Sequence, residues 1–192
     1  STLTYLLFLA ACAVANYMLP ARFRNFWLLA ASVGFFAFAM PAETVIMMVY
    51  VAVVFFLGFA LGKTGNGTRK VLFVFGILVS IGFLFAYKYL GFVFSLVGAE
   101  KPFSLFVPIG ISYVTFQCIA YLTEVYKGNM RHESNAVNFF LYALFFAKLT
   151  AGPIEPPADF LAGLKTKRDF SRSDAENGAM LIAVGMLKKL AM

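Results

Sequence analysis

The feature that most constrains this chain is its division into long, continuous apolar segments joined by short polar loops. Five such segments cover residues 3–19, 25–40, 44–62, 71–98 and 103–125. A helix needs about 20 apolar residues to cross a bilayer, and most of these segments approach or exceed that length. In lipid, only helices or closed barrels satisfy their own backbone hydrogen bonds. Because the apolar character is continuous and does not alternate, we predict an all-α polytopic membrane protein with about five transmembrane helices.

The distribution of charge supports membrane insertion and excludes nucleic-acid binding. Charged residues make up 13% of the chain, against 61% that are hydrophobic, whereas about a quarter of a soluble domain is charged. The net charge of +7 is not gathered on one helix or tail, as it would be in a nucleic-acid-binding face. Short-loop bases fall on one side of the predicted bundle, at Arg22, Arg24, Lys63, Arg69 and Lys70. These loops and the loop 127–135 are therefore predicted to be cytoplasmic, which leaves the N-terminus outside.

The first apolar segment allows two interpretations. Ala13-Val14-Ala15 resembles a signal-peptidase site. However, no basic residue precedes the segment, and Arg22 and Arg24 follow it at once. This pattern favours an uncleaved transmembrane helix.

The residue types that usually carry catalysis occur singly. Cys12 and Cys118 lie inside apolar segments without a C-x-x-C pair, so they are predicted to be small buried side chains and no metal site is expected. His132 lies in a polar loop, without the sheltered site and orienting partner that a catalytic histidine needs. We therefore expect no catalytic residue within this chain.

Gly58 and Gly62 form a G-x-x-x-G pattern at the end of the third apolar segment. A phosphate-binding loop needs four residues between its glycines and follows a strand, and neither condition holds here. The pattern instead predicts close packing of the helix against a neighbour.

The segment "FFAKLTAGPIEPPADF" is too short and too interrupted for an ordinary transmembrane helix. Residues 138–151 form a 14-residue apolar run that breaks at Gly152-Pro153, which predicts a re-entrant or partly submerged helix. Broken backbone at that depth must lie inside protein or beside a water-filled cavity. Lys148 either extends to the headgroups or faces this cavity, where it would attract an anion. Pro108, Gly152 and Pro153 are the predicted structural breaks.

Polar residues recur on one stripe of the fifth segment. Gln117, Tyr121 and Glu124 follow helical spacing, and polar stripes face the bundle interior. Glu124 also fits a position at the membrane interface. Gln117, Tyr121, Lys148 and Glu155 are the candidates for a substrate path. Further along, residues 173–176 fit a capping box that opens a last helix.

Two blocks of the chain resemble the membrane-bound O-acyltransferase family. "FVPIGISYVTFQCIAYLTEVYKG" is similar to the family's Pro-Ile-Gly-Ile-Ser, Thr-Phe-Gln and Tyr-basic-Gly landmarks. "FFAKLTAGPIEPPADF" is similar to its "FFP-x-L-x-AGPI" block, and "AYKYLGF" and "GMLKKLAM" flank the two in the family's order. The likeness is strongest to the bacterial branch that acts in alginate O-acetylation and teichoic acid D-alanylation. The chain departs from the family pattern at Lys148, where the family usually has proline, and at Pro156, where it usually has a basic residue.

The resemblance implies a ring of helices around a thin centre, in the bacterial inner membrane. It implies transfer of an acyl group, usually acetyl, from a cytoplasmic thioester donor such as acetyl-CoA towards an extracytoplasmic polysaccharide or cell-wall acceptor, with an extracytoplasmic partner protein. No cofactor is expected to stay bound. The family's catalytic histidine lies beyond the Lys188-Lys189 landmark, so residues 1–192 would be a single membrane domain, the N-terminal portion of a longer enzyme. The alternative from the residues alone is a transporter or channel subunit with broken helices around a polar cavity.

Overall fold

The computed structural model describes residues 2–97, 110–148, 155–166 and 171–191, and all regular structure in these residues is α-helical. The all-α prediction is therefore confirmed. The helices are α1 (Thr2–Met18), α2 (Ala21–Ala39), α3 (Pro41–Lys63), α4 (Asn66–Lys88), α5 (Leu90–Val97), α6 (Ile111–Lys127), α7 (Ala136–Leu144), α8 (Pro157–Lys165) and α9 (Arg172–Ala191).

Proline and glycine set many of the helix boundaries. Pro41 is the first residue of α3, where its missing N–H costs nothing because that position has no intrahelical acceptor. Gly110 and Gly128 flank α6 with φ values of 77° and 80°, a left-handed conformation that side chains disfavour. Asn135 caps α7, since its side-chain oxygen accepts from Val137 N at 2.9 Å.

The helices α3, α4 and α6 form the centre of the bundle, and α2 and α7 pack beside α3. Their shared core contains the buried side chains Val51, Val54, Leu61, Val114, Cys118, Tyr121, Leu122, Phe139 and Tyr142. Helix α1 lies on α2, and α8 lies on α6 and α7. Among the described residues, α9 packs extensively on none of the other helices.

The G-x-x-x-G pattern of α3 lies at close contacts, as predicted. A Cβ atom at Gly58 would lie 2.4 Å from Cε1 of Tyr121, and one at Gly62 would lie 2.2 Å from Nδ1 of His132. Gly58 thus admits the Tyr121 ring from α6, and Gly62 admits the loop that follows α6.

Within the described ranges, two helices are long and apolar enough to cross a membrane: Pro41–Lys63 and Gly67–Lys88. Both helices carry large apolar side chains on their outward faces. On α4, for example, Val71, Leu78 and Ile81 are 66%, 62% and 52% exposed. A soluble bundle would bury such a surface, whereas lipid can cover it without cost.

Helices α7 and α8 form a hairpin whose two ends meet at the turn between α1 and α2. The amide nitrogen of Asn25, on α2, donates to Oδ1 of Asn138 at 2.9 Å and to the carbonyl of Leu164 at 3.3 Å. Asn138 lies in the first turn of α7 and Leu164 in the last turn of α8. The chain therefore enters the bundle in α7 and returns to the same end in α8.

The turn of this hairpin reaches the interior of the bundle. The backbone N–H of Phe146 donates to Oγ of Ser32 at 3.3 Å, a position about 16 Å along α2 at 1.5 Å per residue. The Phe146 ring packs among the rings of Tyr5, Phe8 and Phe35, with centroids 5.1 to 6.3 Å away. The regular helix thus ends at Leu144, earlier in the chain than the interruption predicted near residue 152.

The structure corrects three predicted helix boundaries. The helix predicted over 138–151 is shorter: α7 ends at Leu144, because Phe145 turns to an extended backbone that lets Phe146 enter the aromatic cage. The 71–98 segment divides at Tyr89 into α4 and α5. The capping box at Ser173 is also misplaced, since Oγ of Ser171 accepts from Asp174 N at 3.3 Å and α9 begins at Arg172. The predicted breaks at Pro108, Gly152 and Pro153 lie outside the described residues.

Candidate functional site

The predicted substrate-path residues fall in two places. Lys148 and Glu155 lie in an open cleft where the α7–α8 hairpin meets the α1–α2 turn. Gln117 and Tyr121 lie on the buried face of α6, both fully inaccessible. Gln117 and Tyr121 therefore face the bundle interior as predicted, whereas Glu124 of the same stripe is partly exposed. The structure does not bring all four path candidates together.

The cleft has a volume of about 470 Å³, within the range of small-molecule sites. Its apolar floor is formed by Leu28, Leu141, Phe145, Phe160 and Leu164. Its polar side chains are those of Asn16, Tyr17, Arg24, Asn25, Lys148, Glu155, Asp159, Lys165 and Thr166. Three of these carry positive charge and two carry negative charge, so the cleft can accept an anionic group beside an apolar one.

Lys148 is held at the wall of the cleft by two contacts. Its Nζ forms an ion pair with Glu155 and lies 3.7 Å from the centroid of the Phe160 ring. The Phe160 ring in turn packs against Tyr142 and Phe145. The lysine side chain is only 17% exposed, so it does not extend freely outward. It faces the cleft, which is the functional alternative left open by the sequence.

A second ion pair joins α8 to the loop between α6 and α7. Nζ of Lys165 lies 2.7 Å from Oε2 of Glu133, and Asn135 N donates to Oε1 of the same carboxylate at 3.0 Å. The side chain of Glu133 is 5% exposed, whereas that of Lys165 is 59% exposed. The backbone N–H of Glu133 donates to the hydroxyl of Tyr121 at 2.9 Å. Tyr121 thus supports the lip of the cleft from beneath without lining it.

Asparagine side chains hold the two ends of the hairpin together beside the cleft. Asn25 joins both ends of the hairpin, as described above, and Asn138 is nearly buried. Close by, the buried Oδ1 of Asn16 has no protein hydrogen-bond partner in the described part of the chain. A buried acceptor without a partner costs free energy unless water or a ligand donates to it.

Gln117 links α6 to the end of α7. Its side-chain amide lies 3.0 and 3.2 Å from the carbonyl oxygens of Tyr142 and Ala143, and 3.2 Å from the hydroxyl of Tyr113. In the orientation that satisfies both ends, the nitrogen donates to the two carbonyls and the oxygen accepts from Tyr113. These carbonyls belong to the last turn of α7, where the helix leaves them without intrahelical partners. Gln117 therefore stabilises the point at which α7 stops.

The single histidine and the two cysteines are structural here. His132 packs edge-on against Phe59 at 4.9 Å and against Gly62. Cys12 and Cys118 are buried, as predicted. None of these three residues lines the cleft.

Sequence reasoning missed four residues that shape the cleft: Asn25 and Lys165, which line it, and their partners Asn138 and Glu133. Each is an ordinary polar residue near a helix end, and none stands out by its spacing. Their common signal is that each is placed where an apolar segment begins or ends, but which of them pair depends on the hairpin.

Comparison with known proteins gives relatives of one kind. No protein-family model matches the chain, and no solved structure matches it. The chain is 30% identical over 160 residues to the "Probable alginate O-acetylase AlgI" of Azotobacter vinelandii, an alignment that covers 77% of this chain and 32% of that protein.

Two further relatives extend the match over more of the chain. The protein of the same name from Pseudomonas syringae pv. tomato is 28% identical over 185 residues, covering 91% of this chain and 36% of the relative. A "Peptidoglycan O-acetyltransferase" of Helicobacter pylori is 24% identical over 217 residues, covering 96% of this chain and 41% of the relative. The chain thus spans about a third of the length of the curated relatives it matches. These matches confirm the resemblance found in the two sequence blocks.

Proposed function

This chain is a relative of bacterial O-acetylases over most of its length, and from this premise we propose that it forms part of a membrane O-acyltransferase. The relatives are named for acetyl transfer to alginate or peptidoglycan, so acetyl is the proposed acyl group. Because the relatives are about three times longer, residues 1–192 are proposed to be one membrane domain from the N-terminal portion of a longer enzyme. The catalytic base is proposed to lie outside this chain.

The observation that carries the proposal furthest is the α7–α8 hairpin with its cleft. A hairpin that enters a helical bundle and returns to the same end shortens the path across the protein at that point. The cleft beside it opens at the end where Arg24 and the 127–135 loop lie, which the charge pattern assigns to the cytoplasm. We propose that an acyl thioester such as acetyl-CoA approaches from this side.

The remaining segments are proposed to complete the membrane architecture. In this arrangement α1, α2, α3, α4 and α6 are the five spans, with the N-terminus outside, and they form part of a ring around the hairpin. The protein would lie in the bacterial inner membrane. Gln117 and Tyr121 are proposed to support the substrate path, since they fix the end of α7 and the lip of the cleft.

The acceptor is proposed to be an extracytoplasmic polysaccharide or cell-wall polymer, reached through a partner protein outside the membrane. Acetyl transfer through a bundle needs two steps. An acceptor oxygen first attacks the thioester carbonyl and forms a C–O bond while a base takes its proton, and the C–S bond then breaks as the thiol leaves with that proton. Cationic and dipolar groups near the reacting carbonyl stabilise the oxyanion that forms.

The test uses the full-length gene product in inside-out inner-membrane vesicles supplied with radiolabelled acetyl-CoA. Radiolabel should appear in polymer or in a lumenal acceptor only when the full-length protein is present. Vesicles from the deletion strain serve as the control. If the label stays on acetyl-CoA in the presence of the full-length protein, whichever acceptor is supplied, the result would contradict the proposal.

The transporter alternative rests on the same broken helices. It predicts that a polar solute, but no acetyl group from acetyl-CoA, crosses the vesicle membrane. The names of the curated relatives favour acyl transfer, and the vesicle assay separates the two functions directly.

A further inference from the structure

The Lys148–Glu155 ion pair occupies the wall of the cleft. Both side chains line the same cavity. A lysine that faces a cavity can bind an anion, but here the carboxylate of Glu155 already pairs with Lys148. Any anion that enters the cleft must therefore compete with Glu155.

The two partners differ in how firmly they are held. Lys148 is 17% exposed and lies against the Phe160 ring, which itself packs on two other aromatic rings. Glu155 is 38% exposed, and within the described residues its side chain makes a polar contact with Lys148 alone. If the pair opens, Glu155 can move into water, whereas Lys148 has to stay in the cleft.

The other ion pair of the cleft shows the opposite asymmetry. There the carboxylate of Glu133 is buried and fixed by Asn135 N, and the lysine is the exposed partner. Opening that pair would leave a buried carboxylate without its counter-charge, which is costly. The Glu133–Lys165 pair is therefore structural, and the Lys148–Glu155 pair is the one that a ligand can open.

We propose that the cleft binds the phosphate group of a ligand at Lys148, and that Glu155 is a built-in competitor that the phosphate displaces. This inference deepens the proposed function, because it assigns the phosphate to the donor side of the enzyme. Asn16, whose buried Oδ1 has no hydrogen-bond partner among the described residues, lines the same cavity and accepts from a hydroxyl or N–H group of the same ligand. The apolar floor of the cleft accommodates the part of the ligand that carries no charge.

The proposal makes an unusual prediction: removal of a residue that lines the site should strengthen binding. Glu155→Gln keeps the size of the side chain but removes its charge, so Lys148 becomes available. Asp159→Asn is the matched control. Asp159 is exposed, lines the same cleft and loses the same charge, but within the described part of the chain it forms no ion pair with a lysine. Lys148→Gln removes the binding group itself.

The experiment measures binding of inorganic pyrophosphate to the full-length protein by calorimetry, in nanodiscs of phosphatidylcholine. Glu155→Gln should lower the dissociation constant about threefold to fivefold, as expected for release of a partly exposed ion pair. Asp159→Asn should change it by less than about twofold, because a screened surface charge has little effect. Lys148→Gln should weaken binding by about tenfold or more, since a charge-assisted contact is lost.

A second arm identifies the source of the phosphate. The same titration is repeated in nanodiscs that contain phosphatidylglycerol. If binding of pyrophosphate is unchanged there, the site takes a soluble phosphate-bearing ligand. If phosphatidylglycerol suppresses binding in the wild type and the suppression disappears in Lys148→Gln, the site takes a lipid headgroup.

Equal dissociation constants for Glu155→Gln and Asp159→Asn would overturn the proposal, and so would weaker binding in Glu155→Gln. Glu155→Asp, which keeps the charge but shortens its reach, replaces Glu155→Gln if that variant fails to purify, and it should shift binding in the same direction. The binding measurement needs no turnover. A protein that binds pyrophosphate in this pattern but transfers no acetyl group would refute the proposed function and leave this inference standing.

Discussion

Gly58 and Gly62 fix how closely α3 approaches its neighbours. The Tyr121 ring lies so near the Gly58 backbone that the two cannot be separated by even a methyl group. Tyr121 cannot easily move away, because it is fully buried, packs on Phe139 with centroids 4.6 Å apart, and accepts from Glu133 N. A single missing side chain thus positions a tyrosine that supports the lip of the cleft.

Gly58→Ala should therefore destabilise the full-length protein. Its Cβ would lie 2.4 Å from Tyr121, and forced repacking of a close-packed interior costs about 1–3 kcal/mol. Thermal unfolding in detergent, followed by the loss of monodisperse protein, measures the effect as a lower midpoint.

Gly82→Ala is the control for this substitution. Gly82 also lies inside a long apolar helix, but nothing surrounds the position within 4 Å. Alanine favours helix over glycine by up to about 1 kcal/mol, so Gly82→Ala should leave the midpoint unchanged or raise it. Equal effects of the two substitutions would show that close packing at Gly58 is unimportant.

The α7–α8 hairpin is held by polar contacts at its ends and by aromatic packing at its turn. Neither helix is long: each has 9 residues, which spans about 14 Å. Isolated helices of this length are unstable in water, so the hairpin depends on its contacts with α2, α6 and the loop 128–135. Asn25 and the Glu133–Lys165 pair supply the polar part of this support at the open end.

Lys165→Met should loosen the hairpin. After the substitution, the buried carboxylate of Glu133 keeps the hydrogen bond from the backbone N–H of Asn135 but loses its counter-charge. Since Lys165 is 59% exposed, solvent screens the pair, and the expected loss is about 1 kcal/mol. Faster cleavage by a protease at the 165–171 connection, measured on the full-length protein, reports the loosening.

The double variant Glu133→Gln/Lys165→Met should recover much of this loss, because the amide oxygen still accepts from Asn135 N and no buried charge remains. Lys70→Met removes an exposed positive charge from α4 and should have no effect. Cleavage of Lys165→Met at the rate of Lys70→Met would argue against a structural role for the pair.

The molecule as a whole is apolar on its flanks and polar at one end. The outward faces of α3 and α4 are covered with large apolar side chains, while Arg69, Arg131 and Lys165 lie at the same end as the cleft mouth. Arg69, for instance, donates to the carbonyl of Val125 at 2.7 Å, at the end of α6. This arrangement suits a bundle in a bilayer with one basic end at the cytoplasmic surface.

Cysteine labelling tests this orientation and the hairpin together. Ala42→Cys should react with a membrane-impermeant maleimide in intact spheroplasts, whereas Arg131→Cys and Thr166→Cys should react only after lysis. The native cysteines are buried, so the unsubstituted protein provides the background. Labelling of Thr166→Cys from outside would mean that residues 136–166 cross the membrane and do not return.

The sequence by itself determined the helical class, the outward apolar surfaces and the existence of an interruption after α6. These follow from composition and hydrophobic patterning, because lipid forces a chain of continuous apolar segments into helices whatever their partners are. The close approach at Gly58 was predictable from the G-x-x-x-G pattern. The inward direction of Gln117 and Tyr121 was predictable because helical spacing places both on one face.

The tertiary structure decided where α7 ends and which charges pair. The helix ends at Leu144 because the Phe146 ring packs among aromatic rings of α1 and α2. These rings lie more than 100 residues earlier in the chain, so no local sequence pattern predicts the contact. On sequence evidence alone, Lys148 could extend to the headgroups or face a cavity, and no pairing with Glu155 was predicted. The return of the chain in α8 places Phe160 against Lys148, and this contact holds the lysine in the cleft lining instead of at the surface.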